Sequence, residues 1–185
     1  MYISPFQTFI ILMLLIGLQR LVEMVYAEKN HWKILELGGI ECGKRHFPWL
    51  ILVHIGWFTS CVVEASLNSY WPSSTWIING LGLITFCQLF RIWVKLSINN
   101  NWTNRRVILP AEIFKKSGPY KFFRHPDYIV LVLEVAIVPA IFGLWFSAII
   151  FSIFNGAIIW SWIDVEDSLL VENQKEELDL AKSLY

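Results

Sequence analysis

The 185-residue sequence has few charged residues, 16% of the chain, whereas 56% belong to the hydrophobic set. A soluble domain carries roughly 25% charged residues, so this shortage excludes a conventional soluble domain. No glycine-rich loop follows a strand pattern, which argues against a soluble nucleotide-binding sheet. Lysine plus arginine and aspartate plus glutamate number 15 each, and no nucleic-acid partner is expected. No internal repeat is visible, so one membrane domain, residues 1–185, accounts for the chain.

Cysteine is also scarce. Cys42, Cys61 and Cys87 are an odd number without C-x-x-C spacing. The latter two lie in apolar segments, where cysteine behaves as a small hydrophobic residue. The four histidines are scattered and show no paired ligand spacing. We therefore expect neither a disulfide framework nor a metal site.

What the sequence contains in abundance is apolar segments that approach or cross a hydrocarbon core of about 30 Å. The five are Pro5 to Leu21, Phe47 to Leu67, Trp76 to Ile98, Tyr128 to Gly143, and Leu144 to Ile163. The last two are nearly continuous, and Pro139 with Phe142-Gly143 predicts a break between them. We therefore predict an all-α, polytopic integral membrane protein of about five transmembrane helices, with a C-terminal helical hairpin and a cytoplasmic tail helix.

The basic residues predict an orientation. None lies at the N-terminus, in the turn at 68–75 or in the turn at 142–143. All 15 lie in or beside the two long loops after the first and third segments, or in the tail. Because lysine and arginine are retained on the cytoplasmic side, we expect the N-terminus outside and the C-terminus in the cytoplasm.

Polar residues inside the apolar segments are candidates for a functional site, because an ionisable group at mid-membrane costs about 2.5–3.5 kcal/mol. Glu134 shares a helical face with Asp127 and is either a paired structural carboxyl or a wall residue of a cytoplasm-facing pocket. A polar stripe on the third segment lines the same site or extends to headgroups, and comprises Gln88, Arg91, Lys95 and Asn99. A stripe on the fifth segment comprises Asn155, Trp162 and Glu166. His54 and Glu64 are expected to be structural.

The densest polar and aromatic cluster is the segment G-P-Y-K-F-F-R-H-P-D-Y at 118–128. Glycine followed by proline predicts a turn, and His125 is disfavoured in the helical region because proline follows it. Pro126 then begins a helix whose first amides lack intrahelical partners. Together with Arg124 and two tyrosines, these amides form either a binding site or a collar at the membrane surface.

The pattern G-P-Y-x-x-x-R-H-P-x-Y, followed by an apolar hairpin and an acidic pair, resembles the isoprenylcysteine carboxyl methyltransferase family of integral membrane enzymes. The matching loop positions are Gly118, Tyr120, Arg124, His125, Pro126 and Tyr128, and the acidic pair, usually Glu-Glu, is Glu166 and Asp167. Upstream residues resemble a short bacterial subgroup, so the likeness spans nearly the whole chain. They are Arg20, Glu23, Asn30, Glu41, Gly43, His46, Pro48, His54, Glu64, Trp102, Thr103 and Glu134.

This resemblance implies an S-adenosylmethionine-dependent methyltransferase of the bacterial inner membrane, with the cofactor bound by the part at 99–185. The residues expected to hold the cofactor are Gly118, Tyr120, His125, Pro126, Tyr128, Glu166 and Asp167, with Glu166 pairing with its ammonium group. The expected catalytic residues are Arg124, Glu134 and Glu166. A lipid-like acceptor is expected to enter from the membrane lipids and to contact Gln88, Arg91, Lys95 and Trp162.

Trp162 departs from the family pattern, which usually places an arginine four residues before the acidic pair. Either Arg91 or Lys95 substitutes for it, or the acceptor is not a carboxylate, or activity is weak. If the family arginine neutralises an acceptor carboxylate, its absence here predicts a preference for a long-chain enol or phenol, such as an alkylpyrone, over an isoprenylcysteine carboxylate. Glu134 or His125 would then remove the acceptor's proton.

Two other functions fit parts of the sequence. The R-H-P-x-Y loop is shared with NADPH-dependent membrane reductases of the sterol or enone type, and a basic aromatic collar suits a non-enzymatic assembly protein. The acidic pair in the tail favours methyl transfer. Nothing in the sequence indicates an oligomeric state.

Overall fold

The computed structural model describes residues 4–36, 38, 40–42, 47–98, 102–103, 106–108 and 117–163. The five α-helices within them are α1 (Pro5–Glu36), α2 (Phe47–Leu67), α3 (Ser74–Ile98), α4 (Pro126–Ile141) and α5 (Trp145–Ile163). A 3-10 helix, Gly118–Lys121, precedes α4. Helices α1, α2, α3 and α5 are long and apolar enough to cross a membrane. The predicted helical class is therefore confirmed.

Helix α4 is shorter than a usual span. It has 16 residues, which is about 24 Å at 1.5 Å per residue, against a hydrocarbon core of about 30 Å. Its first turn lies beside the last turn of α5, since the ring centroids of Tyr128 and Trp162 are 6.3 Å apart. The two helices therefore run side by side in opposite directions. The predicted tail helix lies outside the described residues.

Helix α1 is longer than the apolar segment predicted for it, because it continues beyond Leu21 to Glu36. The extension contains no glycine or proline that would end it. It also has a buried face of its own, made by Ala27, Asn30, His31 and Ile34. Asn30 Nδ2 donates a hydrogen bond of 2.9 Å to the Trp102 carbonyl oxygen, so this polar part of α1 is held against the segment that follows α3.

A two-stranded antiparallel ribbon was not predicted. Strand β1, Ile40–Cys42, pairs with β2, Arg106–Ile108, with Glu41 opposite Val107. Three residues are too few to show an alternating pattern in sequence, and the partner strand is remote along the chain. Because β1 follows α1 and β2 follows α3, the ribbon joins the chain after these two helices at one end of the bundle.

The apolar core occupies the other end. It is built from the N-terminal half of α1, the C-terminal half of α2 and the turn between α4 and α5, and includes Phe9, Met13, Trp57, Cys61, Val138 and Phe142. The rings of Phe9 and Phe142 pack edge to face at 5.3 Å between centroids. The polar residues of α1, α3 and α4 therefore lie in the opposite half of the bundle.

The break between α4 and α5 lies where proline and glycine predicted it. Pro139 has no N–H, so the Val135 carbonyl one turn earlier loses its helical donor. The buried Trp57 indole Nε1 donates to that carbonyl at 3.1 Å, which matters because an unsatisfied backbone group in hydrocarbon costs several kcal/mol. Gly143 then turns the chain at a φ of 74°, in the region that glycine adopts most readily.

Candidate functional site

Five charged side chains from α1, α3 and α4 meet in the half of the bundle that is nearer the ribbon. We call this set, Arg20, Glu23, Arg91, Lys95 and Glu134, the charge cluster. Arg91 lies at its centre. It donates to Glu23 through Nε at 2.8 Å and Nη2 at 2.6 Å, and to Glu134 Oε2 through Nη1 at 2.8 Å. Such two-pronged arginine–carboxylate pairs are among the stronger hydrogen bonds in proteins.

The other two cations complete the cluster. Arg20 Nη2 lies 3.0 Å from Glu134 Oε2, and Arg20 Nη1 lies 3.5 Å from Glu23 Oε2. Lys95 forms an ion pair with Glu23, and its Nζ lies 4.0 Å from the centre of the Trp102 ring. Arg91 is 7% exposed and Glu134 is 1% exposed. Three cations thus face two carboxylates in a largely buried site.

The charge cluster forms one end of a cavity of about 760 Å³. Arg20, Glu23, Arg91 and Lys95 line its polar end. Its apolar walls come chiefly from α1 and α2 and include Leu14, Leu18, Leu21, Ile51, Ile55 and Phe58. A long apolar volume that ends in a few convergent polar groups is typical of a small-molecule site.

The loop before α4 is held against the C-terminal end of α3. Gly118 has a φ of 53°, and a Cβ at this position would lie 2.1 Å from Ser97 Oγ. Ser117 Oγ donates to the Ser97 carbonyl oxygen. Only glycine fits at 118, for both its conformation and its close approach to α3.

The same loop and the first turn of α4 place aromatic rings beside the cavity. His125 is non-helical, with φ −133° and ψ 67°, and it gives the amides of α4 no side-chain cap. Its ring stacks on Tyr128, with centroids 5.3 Å apart and an interplanar angle of 22°. Tyr128 and Trp162 line the cavity together with Asp127. The start of α4 therefore faces the same space as the charge cluster.

The predicted site residues fall into three groups. Those that line the cavity are Arg91, Lys95, Tyr128 and Trp162. Those that are described but lie outside its lining are Gln88, Gly118, Tyr120, Arg124, His125, Pro126 and Glu134. Those outside the described residues are Asn99, Glu166 and Asp167. Gln88 accepts a hydrogen bond of 2.9 Å from Gln19, and Glu134 lies behind the two arginines.

Arg20 and Glu23 were missed as site residues, although both belong to the upstream likeness. The available signal was a pair of charged residues three apart, on one helical face at the end of an apolar segment. His54 also lines the cavity, while its Nδ1 lies 2.8 Å from the Leu50 carbonyl oxygen. Among the described residues, no group of three potential metal ligands occurs.

The helices are those of a membrane protein, and the cavity with the charge cluster at its polar end is its candidate small-molecule site. The family model described as "Isoprenylcysteine carboxyl methyltransferase (ICMT) family" matches residues 80–172. This range includes α3 from Gly80 onward, α4 and α5. The chain belongs to this family.

Two curated relatives carry no functional description. Uncharacterized protein YpbQ of Bacillus subtilis (strain 168) is 34% identical over 165 residues, covering 89% of this chain and 97% of that protein. An uncharacterized protein of Haemophilus influenzae (strain ATCC 51907 / DSM 11121 / KW20 / Rd) is 28% identical over 111 residues, covering 60% of this chain and 61% of that protein. No solved structure gives a significant match.

Proposed function

We propose that this protein is an S-adenosylmethionine-dependent O-methyltransferase that acts on a lipid-like acceptor. The acceptor classes are an isoprenylcysteine carboxylate and a long-chain phenol or enol such as an alkylpyrone. The observation that carries the proposal is the continuity of the cavity. It runs from apolar walls on α1 and α2 to the charge cluster, and it also reaches Tyr128 and Trp162, which lie within the segment matched by the family model.

The residues around the start of α4 suit this cofactor. The His125 side chain does not cap the first turn of α4, and a helix N-terminus favours negative charge such as that of the cofactor's carboxylate. The stacked rings of His125 and Tyr128 provide a flat aromatic surface beside them. We assign cofactor binding to His125, Tyr128, Glu166 and Asp167. When bound, S-adenosylmethionine supplies an electrophilic methyl group.

The protein's own task is then to position the acceptor and to exclude water. Well-oriented placement of reacting groups contributes about 7–11 kcal/mol. A carboxylate acceptor is ionised at neutral pH and needs no general base. A phenol or enol must lose its proton on methyl transfer, and we assign this step to His125. The Glu134 carboxylate is already bound by Arg91 and Arg20. We therefore assign Glu134 the role of positioning Arg91 and Arg20.

We also propose that the chain lies in the bacterial inner membrane with its C-terminus in the cytoplasm. The ribbon supports this orientation, because it joins the two basic segments after α1 and α3 at one end of the bundle. Impermeant maleimide labelling should reach Ser73→Cys from outside intact cells and Ser117→Cys only after permeabilisation. Labelling of both positions from the same side would refute the arrangement.

The cofactor is tested by equilibrium binding to purified protein in lipid nanodiscs. We expect S-adenosylhomocysteine to bind and NADPH not to bind. His125→Ala should weaken binding by roughly ten-fold or more, the equivalent of one or two lost hydrogen bonds. Phe122→Ala is the matched control, since this ring lies in the same loop and is 78% exposed. Binding of NADPH instead would favour the reductase, and binding of neither would favour the assembly protein.

Transfer itself is tested by supplying methyl-labelled S-adenosylmethionine with a bacterial lipid extract. We expect the label to appear in a lipid-soluble product. If the acceptor is a carboxylate, this product is a methyl ester, and mild base releases the label from it. A product whose label resists mild base would identify a phenol or enol ether. Absence of any labelled product, in protein that binds the cofactor, would contradict methyl transfer.

A further inference from the structure

We propose that the charge cluster and the cavity between α1 and α2 bind a single amphipathic molecule whose head carries one negative charge. The assignment of this molecule as the methyl acceptor rests on the proposed function. The binding site itself rests only on charge, contacts and shape.

The first argument is the charge balance. Arg20, Arg91 and Lys95 carry three positive charges, and Glu23 and Glu134 carry two negative ones. The Lys95 ammonium also lies over the Trp102 ring, a contact that favours its charged form. Within the charge cluster, the described cations therefore exceed the described carboxylates by one, and an anion in the cavity would compensate this charge.

The second argument is where the excess charge lies. Glu134 is buried behind the arginines. Arg20, Arg91 and Lys95 line the cavity together with Glu23. The Glu23 carboxylate is already bound by Arg91 and Lys95. An ammonium has three donors and a guanidinium five, so all three cations keep hydrogen-bonding capacity beyond their contacts with the two carboxylates. The cations are thus the groups that a ligand head meets.

One further carboxylate, Asp127, lines the cavity. It lies in the first turn of α4, where the helix N-terminus provides a positive end that offsets its charge. Its position beside Tyr128 associates it with the proposed cofactor side of the cavity. We place the anionic head beside the cations of α1 and α3.

The third argument is the shape of the apolar part. Gly17 on α1 has no side chain, and the nearest atoms to a Cβ there would be those of the Phe58 ring at 3.8 Å. This leaves a groove between the helices, walled by Leu14, Leu18, Ile51, Ile55 and Phe58. The volume of about 760 Å³ is within the range of about 300–1,000 Å³ for small-molecule pockets. It fits one single-chain amphipath.

This inference also offers an explanation for Trp162, which occupies the position of the family arginine. The family pattern places a cation on the last span, whereas this chain places three on α1 and α3. We infer that these cations select the head, so that a carboxylate and an enolate are both accepted and a neutral head is rejected.

The experiment measures binding in nanodiscs of neutral lipid, without cofactor, using three probes of equal chain length. These are hexadecanoate, hexadecanol and hexadecyltrimethylammonium. We expect hexadecanoate to bind at least about ten-fold more tightly than the other two, as one charge-assisted contact predicts. Equal affinity for the acid and the alcohol, or a preference for the ammonium, would overturn the inference.

One pair of variants tests where the charged head of the ligand binds, and a second pair tests where its alkyl chain lies. Lys95→Met should abolish the preference for hexadecanoate, whereas Lys33→Met, at an exposed position of α1, should retain it. Gly17→Leu should weaken all probes by at least about ten-fold by filling the groove, whereas Gly82→Leu, where a Cβ meets nothing within 4 Å, should not. If Lys95→Met does not fold, Arg20→Gln tests the same point. A preference that survives the cluster variants would place the anion elsewhere.

Competition separates this ligand from a membrane lipid. Phosphatidylglycerol in the nanodisc should not displace hexadecanoate, and displacement at equimolar amounts would identify the site as one for lipid headgroups and overturn the inference. Hexadecanoate binding with charge preference but without methyl transfer would refute the proposed function alone. Methyl transfer without any charge preference would refute this inference alone.

Discussion

The two ends of the bundle each contain glutamate, but the partners differ. At the ribbon end, Glu23 and Glu134 are bound by arginines from α1 and α3 beside an open cavity. At the other end, the Glu64 carboxylate accepts the backbone N–H groups of Phe146 at 3.0 Å and Ser147 at 2.8 Å. Glu64 thus caps the first turn of α5.

This difference shows how the same residue type serves two purposes. The donors around Glu64 are neutral amides that have no other partner in their own helix, so the carboxylate completes α5 and compensates its dipole. Ser60 Oγ lies 2.8 Å from Ser147 Oγ and joins α2 to α5 at the same place. The charge cluster instead collects more cations than its carboxylates neutralise. The Glu64 contact is a stability feature, and the charge cluster is suited to a ligand.

The largest effect is expected from Arg91→Met. This change leaves Glu23 and Glu134 without their shared arginine and should lower the free energy of unfolding by about 3–5 kcal/mol, because it breaks a buried ion pair on one side. Thermal unfolding in detergent measures it, with Lys33→Met as the exposed control. Adding Glu134→Gln to Arg91→Met should recover part of the loss, since one buried charge is removed. No recovery would mean that Arg91 acts by packing.

A smaller effect is expected from Glu64→Gln. The amide oxygen still accepts one α5 amide but not both as a carboxylate does, so the free energy of unfolding should fall by about 1–2 kcal/mol. The preference for hexadecanoate should not change, because Glu64 lies at the far end of the bundle. Glu36→Gln, at an exposed position of α1, is the control. A changed ligand preference in Glu64→Gln would contradict the separation of the two ends.

The smallest effect on stability is expected from Lys95→Met. Glu23 keeps both contacts with Arg91, and the excess positive charge disappears, so the free energy of unfolding should change by no more than about 1 kcal/mol. Ligand binding, by contrast, should lose its charge preference. Thermal unfolding and hexadecanoate binding are measured on the same sample. A large loss of stability would show that Lys95 is structural, like Glu64.

Local signals in the sequence were sufficient for several parts of the fold. Apolar runs predicted the helices that cross the membrane, because burial in hydrocarbon depends on local composition. Pro139 and Gly143 predicted the break between α4 and α5, and His125 before Pro126 predicted a non-helical entry, because both effects are steric and concern adjacent residues. The family loop was likewise a contiguous pattern.

The remaining features depend on contacts between distant residues. The ribbon and the contact of the α1 extension with Trp102 follow from pairings that no local pattern encodes. Arg91 is 68 residues from Glu23 and 43 from Glu134. Periodicity places each charge on a face of its own helix, but the rotation and packing of the helices determine which faces meet.

The sequence by itself therefore determined the class of this protein, its apolar helices, its turns and its family, because these follow from composition and from neighbouring residues. Only the tertiary structure decided that Glu64 caps a helix while Glu134 serves two arginines. Both are glutamates in apolar segments, and what distinguishes them is the donor that the packed helices bring to each carboxylate. The charge cluster has the same origin, since its five side chains come together where α1, α3 and α4 converge.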